Sequence, residues 1–176
     1  ILRHRIQPGM RVLDAGCGFG RNLIYLMREG YRVAATDADP EAIAAVLRLR
    51  RDLAPSLPPS DFRQEPVERM SFPDAEFDVV ISSAVLHFAR DDQHFDAMVR
   101  EMWRVLKPGG LFWARLASTI GLDRPIHHGT GRYLVNEPKL MHYAEVLGGE
   151  LLDPIKTTVV QNQRAMTTWV MRKART

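Results

Sequence analysis

The chain has one cysteine, Cys17, so it can form no internal disulfide, and that fits a reducing compartment. It has no apolar run near the roughly 18 to 20 residues needed to span a bilayer, so no membrane partner is expected. It also lacks a long block of one charge. The net charge is only +3, and the basic residues are scattered apart from a short cluster at Arg48, Arg50 and Arg51, which gives no footprint for nucleic acid. Internal repeats, low-complexity tracts and a signal or transit peptide are absent, so the expected location is cytoplasmic. What is present is ordinary: 176 residues, 45% hydrophobic and 26% charged, enough for a single domain over residues 1–176 with a buried core.

Hydrophobic period and punctuation divide the chain into alternating strands and helices. Residues 11–15 read as a strand, and residues 20–29 as a helix with Leu23, Ile24, Leu26 and Met27 at helical spacing before Gly30. A second strand covers residues 31–36. Asp39-Pro40-Glu41 then supplies an N-cap, a proline at the first helical position and an acid in the first turn of a helix running to Leu53. Short strands are expected at residues 62–65 and 77–82, a helix at 91–106 ended by Lys107-Pro108-Gly109-Gly110, and a fifth strand at 111–116. Such alternation implies a parallel sheet covered by helices on both faces, with ligands at the carboxyl ends of the strands. The pattern then changes to a helix at 137–147 and two strands, 157–161 and 165–171, joined by a tight turn, which is an antiparallel ending.

The most informative stretch is Val12 to Asn22, where an apolar strand ending in Asp14 runs into Gly16, Gly18 and Gly20 and then a helix. Glycines there allow a ligand to approach the backbone. A carboxylate aimed into such a crevice would repel a pyrophosphate and attract a cationic amino-acid group, so Asp14 points to a ligand that is positively charged there. A dinucleotide fingerprint needs glycine at position 21, where this chain has Arg21.

Asp14, Gly16, Gly18 and Gly20 resemble the first motif of class I S-adenosylmethionine-dependent methyltransferases, and the resemblance runs over essentially the whole chain. Around Arg21-Asn22, Tyr25-Leu26 and Gly30-Tyr31 it is locally similar to tellurite-resistance and thiopurine-type small-molecule methyltransferases. The family implies an α/β, Rossmann-like, doubly wound sheet of seven strands, mostly parallel with a C-terminal antiparallel hairpin, and S-adenosyl-L-methionine as cofactor. It implies that Asp37 accepts hydrogen bonds from ribose hydroxyls and that Ala38 lies beside adenine. Cys17 lies within the cofactor loop, and Arg21 and Asn22 stand where the cofactor carboxylate would be held. The usual adenine-binding acid position holds Pro66 instead, which leaves the amide of Val67 as donor and Glu65 or Glu68 as replacement carboxylate.

After the fourth strand comes Ser82-Ser83-Ala84-Val85-Leu86-His87-Phe88, where the family lines the cofactor's methionine portion and the substrate pocket. The Asn/Asp-Pro-Pro-Tyr of amino-methylating DNA and protein-glutamine enzymes is absent. Cys17, inside the cofactor loop, cannot be the nucleophile that cytosine carbon methylation needs, so a small-molecule O, N or S acceptor is expected. His87 is the candidate general base, although it could equally pack against the cofactor or cap a helix. His127, His128 and Tyr133 are candidate substrate contacts. Adjacent histidines point apart in an extended chain, so no metal site is expected. The N-terminal cap that such enzymes carry is expected to be missing. The competing readings are a cofactor-binding module without catalysis, favoured by Pro66 and Ala38, and an NAD-dependent oxidoreductase, disfavoured by Arg21, Asp14 and the closing hairpin.

Overall fold

The computed structural model describes residues 5–7, 9–123, 131–162 and 164–175. Strands and helices alternate through the first two thirds: β1 (Arg11–Ala15), α1 (Arg21–Arg28), β2 (Arg32–Asp37), α2 (Pro40–Leu53), β3 (Phe62–Gln64), β4 (Phe77–Ser83), α3 (Asp92–Val105) and β5 (Leu106–Ser118). There follow α4 (Glu137–Val146), β6 (Gly149–Leu151), β7 (Lys156–Val160) and β8 (Arg164–Lys173). Local chemistry fixes the helix starts. Asp39 accepts the Glu41 amide, Asp91 the His94 amide and Asn136 the Lys139 amide, each satisfying a first-turn donor. Helix α1 differs, because Gly20 stands at its start and no side chain caps it.

The strands form one sheet in the order β3-β2-β1-β4-β5-β8-β6, with β7 also paired to β8. Strands β1 to β5 run parallel, and β8 is antiparallel to β5, β6 and β7. The expected seven strands are therefore eight among the described residues. One edge of β8 is taken by β5, so β6 and β7 share the other, pairing with opposite ends of β8. The residues between them include Pro154, which has no amide to donate to a ladder, and Asp153, which accepts from Arg5. A seventh position is thus filled by a broken strand. The fifth strand also starts earlier than its sequence suggests. Leu106 already pairs with Phe77, and Lys107 to Gly110 bulge out before Leu111 resumes opposite Val79.

Successive residues of a strand face opposite sides of the sheet, and the two faces have separate cores. Val12, Val33 and Val79 pack with Leu23, Leu26, Ile43 and Val46 under α1 and α2. Leu13, Val80, Phe112 and Trp169 pack with Phe95, Val99, Met102 and Leu140 under α3 and α4. With both faces covered, the carboxyl ends of β1, β2, β4 and β5 are where side chains converge on open space. Among the described residues no helix is long and apolar enough to cross a membrane.

Phe112 is fully buried, edge-on to Trp103 at 6.1 Å and to Trp169 at 5.4 Å. Phe112→Ala is expected to cost about 3–5 kcal/mol, read as a lower urea midpoint at an unchanged denaturant slope.

Candidate active site

Parallel pairing of β1 with β2 and β4 brings the loop 16–20 beside Asp37 and Ser83. Amides of Gly16 and Cys17 both donate to the Thr36 carbonyl at 2.9 Å, and the Gly18 amide donates to Asp37 Oδ2 at 2.8 Å. Two of the glycines have different reasons to be there. At Gly16, with φ of +76°, an added Cβ would sit 2.5 Å from a Val85 methyl, so a close side chain forbids it. At Gly18, with φ of +51°, an added Cβ would meet nothing within 4 Å, because that position faces a cleft. The cleft, of about 800 Å³, is lined by Gly16, Cys17, Gly18, Arg21, Asn22, Asp37, Ala38, Val67 and Ser83, together with Glu68, His94 and Arg115.

Several expected site residues lie elsewhere or are otherwise engaged. Asp14 is not aimed into the cleft. It is wholly buried, accepts long bonds from Asn22 Nδ2 at 3.3 and 3.4 Å, and burial pushes its pKa up to about 7 despite Asn22, with Asp37 adding to the rise. It therefore holds Asn22 in place beneath the loop. Glu65 turns away, because its carboxylate accepts from the Ser71 amide and hydroxyl, and Glu68 takes its place at the cleft wall. The Glu68 carboxylate lies 3.2 Å from His94 Nε2, a histidine that the sequence reading passed over. Ser82 is fully buried and its hydroxyl has no hydrogen-bond partner among the described residues, so Ser83 alone of that pair lines the cleft. The Cys17 thiol is raised by burial and by the nearby Asp14 and Asp37, which suits packing and not nucleophilic attack. Asp37 Oδ1 accepts from the Asp39 amide at 3.0 Å. Each Asp37 oxygen thus holds one amide and retains capacity for a further donor.

A second hollow of about 390 Å³ adjoins the cleft, and Ala84, Phe88 and Arg115 line both. His87 lines the second hollow, but the geometry contradicts a general-base role. Its Nδ1 accepts the Ala117 amide at 3.2 Å, so the ring proton of the neutral form is on Nε2 and no lone pair is left to take another. Burial, reinforced by Arg132 and Arg115, lowers its pKa to about 4. Tyr133 does not face the hollow either. Its hydroxyl donates to Asp92 and accepts from Lys139, its ring stacks on Phe95 at 5.0 Å, and its amide supports the His87 carbonyl. His127 and His128 lie outside the described residues. Among the described residues no cluster of three or more His, Cys, Asp and Glu is placed to hold a metal.

A family model described as a methyltransferase domain matches residues 13–114, more than half of the chain. The chain belongs to the S-adenosylmethionine-dependent methyltransferases. A probable S-adenosylmethionine-dependent methyltransferase of Mycolicibacterium smegmatis is 34% identical over 158 residues, covering 88% of this chain and 57% of that protein. A solved methyltransferase of Methanosarcina mazei matches with a TM-score of 0.76 at 20% identity, covering 99% of this chain and 97% of the other. The 1,6-didemethyltoxoflavin-N1-methyltransferase of Burkholderia thailandensis, solved with its substrate and S-adenosylhomocysteine, matches at 0.75 with 22% identity over 95% of this chain and 72% of that one. At such identities these structures show the shared fold. The chain spans about half the length of the curated relatives it matches.

The methyltransferase cofactor fits what is present. Gly18 leaves room for a ligand against bare backbone, α1 has no side-chain cap occupying its first amides, and the cleft volume suits a nucleoside-sized molecule. The residues that the sequence did not single out are Arg115, Arg132 and Arg164, which line the second hollow from β5, residues 131–134 and β8. A β-strand alternation places Arg115 only once the partner strand is known, so no local signal marks it.

His87 should titrate near pH 4 by NMR, because its lowered pKa keeps it neutral in the folded protein. The unfolded chain takes up a proton near the ordinary value of about 6.5. The His87 contribution to stability is therefore complete above that pH and is lost as pH falls toward 4. Asp14 works in the opposite direction in part of the same window, since its raised pKa favours the folded state at low pH. Comparing wild type with His87→Gln isolates the His87 share, and the stability gap between them should move against wild type on acidification.

Proposed function

We propose that this protein moves the methyl group of S-adenosylmethionine to a small-molecule O, N or S acceptor by in-line displacement. The observation that carries the reading is the pair of adjoining hollows that share Ala84, Phe88 and Arg115 at the strand ends. A non-catalytic binding module needs only the first. When bound, the cofactor supplies a methyl group already activated by its sulfonium. The chain then has to position and enclose the reactants, effects worth several kcal/mol when geometry is right.

In this reading Asp37 accepts from the ribose hydroxyls and Ala38 and the Val67 amide meet the adenine, and all three residues line the cleft. Arg21, exposed at the first residue of α1, lines the cleft and would meet the cofactor carboxylate, whereas Asn22 is already turned to Asp14. Ala84, Phe88 and Arg115 form the wall that the two hollows share, and Ser83 lies on the cofactor side of it. Among the described residues no aspartate or glutamate lines the second hollow and His87 offers no free lone pair, so none of them serves as a base there, and an acceptor already ionised needs none. The Burkholderia neighbour's bound substrate supports a small acceptor here.

Calorimetry tests the cofactor assignment. S-adenosylmethionine should bind in preference to NAD, and Asp37→Ala should weaken it by about tenfold or more, the loss of charge-assisted hydrogen bonds. Gly18→Ala should keep the fold at a cost of about 1 kcal/mol for its left-handed backbone while impairing cofactor binding. Tighter NAD binding would overturn the assignment, and cofactor binding without methylated product across small acceptors would favour the non-catalytic module.

A further inference from the structure

We infer that the second hollow takes an organic anion, an apolar body bearing a carboxylate or phosphate group that Arg115, Arg132 and Arg164 grip. This rests on the methyltransferase reading for the anion's role as acceptor, while the anion site itself stands on the hollow.

Three arginines, each of them exposed, line this one cavity from three separate parts of the chain, and no carboxylate lines it among the described residues. None of the three forms an ion pair among the described residues. Elsewhere the protein neutralises arginines readily. Arg5 pairs with Asp153, Arg11 with Asp61 and Glu76, Arg100 with Asp96, and Arg104 with Asp74 and Glu101. Asp123, beside the lining residue Leu122, is engaged instead with Asn162.

Like charges around one concave wall repel one another and raise a positive potential there, which an anion relieves. A guanidinium is also the side chain that matches a carboxylate or phosphate with two parallel hydrogen bonds. Arg132 is steadied for this by lying 4.9 Å over the Phe88 ring. Ser118 Oγ, also in the wall, is already engaged, being bonded to Thr167 Oγ1 at 2.6 Å and accepting the Ile120 amide. The remaining lining is largely apolar, with Phe88, Leu122, Leu134 and Met166, which suits a hydrocarbon or aromatic body. A volume of about 390 Å³ has room for a small organic molecule, at the lower end of ligand pockets. The positive field also acts on His87, whose pKa Arg132 and Arg115 help to lower.

The test is an NMR titration of the intact chain with benzoate, phenyl phosphate and neutral benzyl alcohol, reading His87 and backbone shifts. Arg132→Gln and Arg164→Gln are titrated in parallel, and S-adenosylmethionine affinity is measured for every variant. At least one anion should bind about tenfold more tightly than benzyl alcohol and raise the His87 pKa. Its binding should weaken between about 50 mM and about 500 mM salt. Each arginine variant should weaken it several-fold while leaving S-adenosylmethionine binding in place, and the ranking of benzoate against phenyl phosphate names the group. Equal binding of neutral and anionic probes, variants that bind the anion as wild type does, or no saturable binding of either anion would overturn the inference. Loss of the cofactor reading would appear separately, as an anion site in a protein that does not bind S-adenosylmethionine.

Discussion

The Thr36 carbonyl accepts two amides, from Gly16 and Cys17, and the site is built outward from that point. Two donors on one carbonyl use both of its lone pairs, and they tie the glycine loop to the end of β2 in place of a free turn. Asp37, the next residue, then receives the Gly18 amide and completes the tether. Val85, arriving from β4, fills the space that a side chain at Gly16 would need. Three strand ends are thus locked at a fixed spacing before any ligand arrives.

Burial sorts the titratable groups of the site into different states. Asp14 lies beneath the loop with two weak amide contacts, and desolvation raises it toward neutrality. His87 is also buried but faces arginines, so desolvation and positive charge act together to keep it uncharged. The cleft mixes signs, with Asp37 and Glu68 near Arg21 and Arg115, whereas the adjoining hollow has guanidinium groups and no carboxylate among its described lining residues. A cofactor that carries charges of both signs matches the first environment, and an anion matches the second.

Ala84 joins the two. It stands in the left-handed region with φ of +64°, a conformation costing about 1–2 kcal/mol for a residue with a Cβ. Its amide donates to the Arg115 carbonyl at 2.7 Å, extending the β4–β5 pairing by one residue before the chain turns into 86–88. Such strain persists where surrounding structure holds it. Here it directs the backbone along the wall shared by both hollows.

The sequence by itself determined the alternating strands and helices, the parallel sheet with its antiparallel end, and the glycine loop facing Asp37. Each follows from local chemistry: hydrophobic period, capping residues such as Asp39 and Asp91, and closely spaced glycines that take positive φ at a strand end. It did not determine the broken edge strand, because β6 is three residues long and is made by pairing with β8, not by its own pattern. Nor did it determine the side-chain assignments of Asp14, Glu65, His87 and Tyr133. Their partners, Asn22, Ser71, Ala117, Asp92 and Lys139 among them, are set by how the folded chain brings them together. The convergence of Arg115, Arg132 and Arg164 was decided by tertiary structure alone, since residues far apart in the chain share a cavity only after the sheet has brought β5 and β8 side by side.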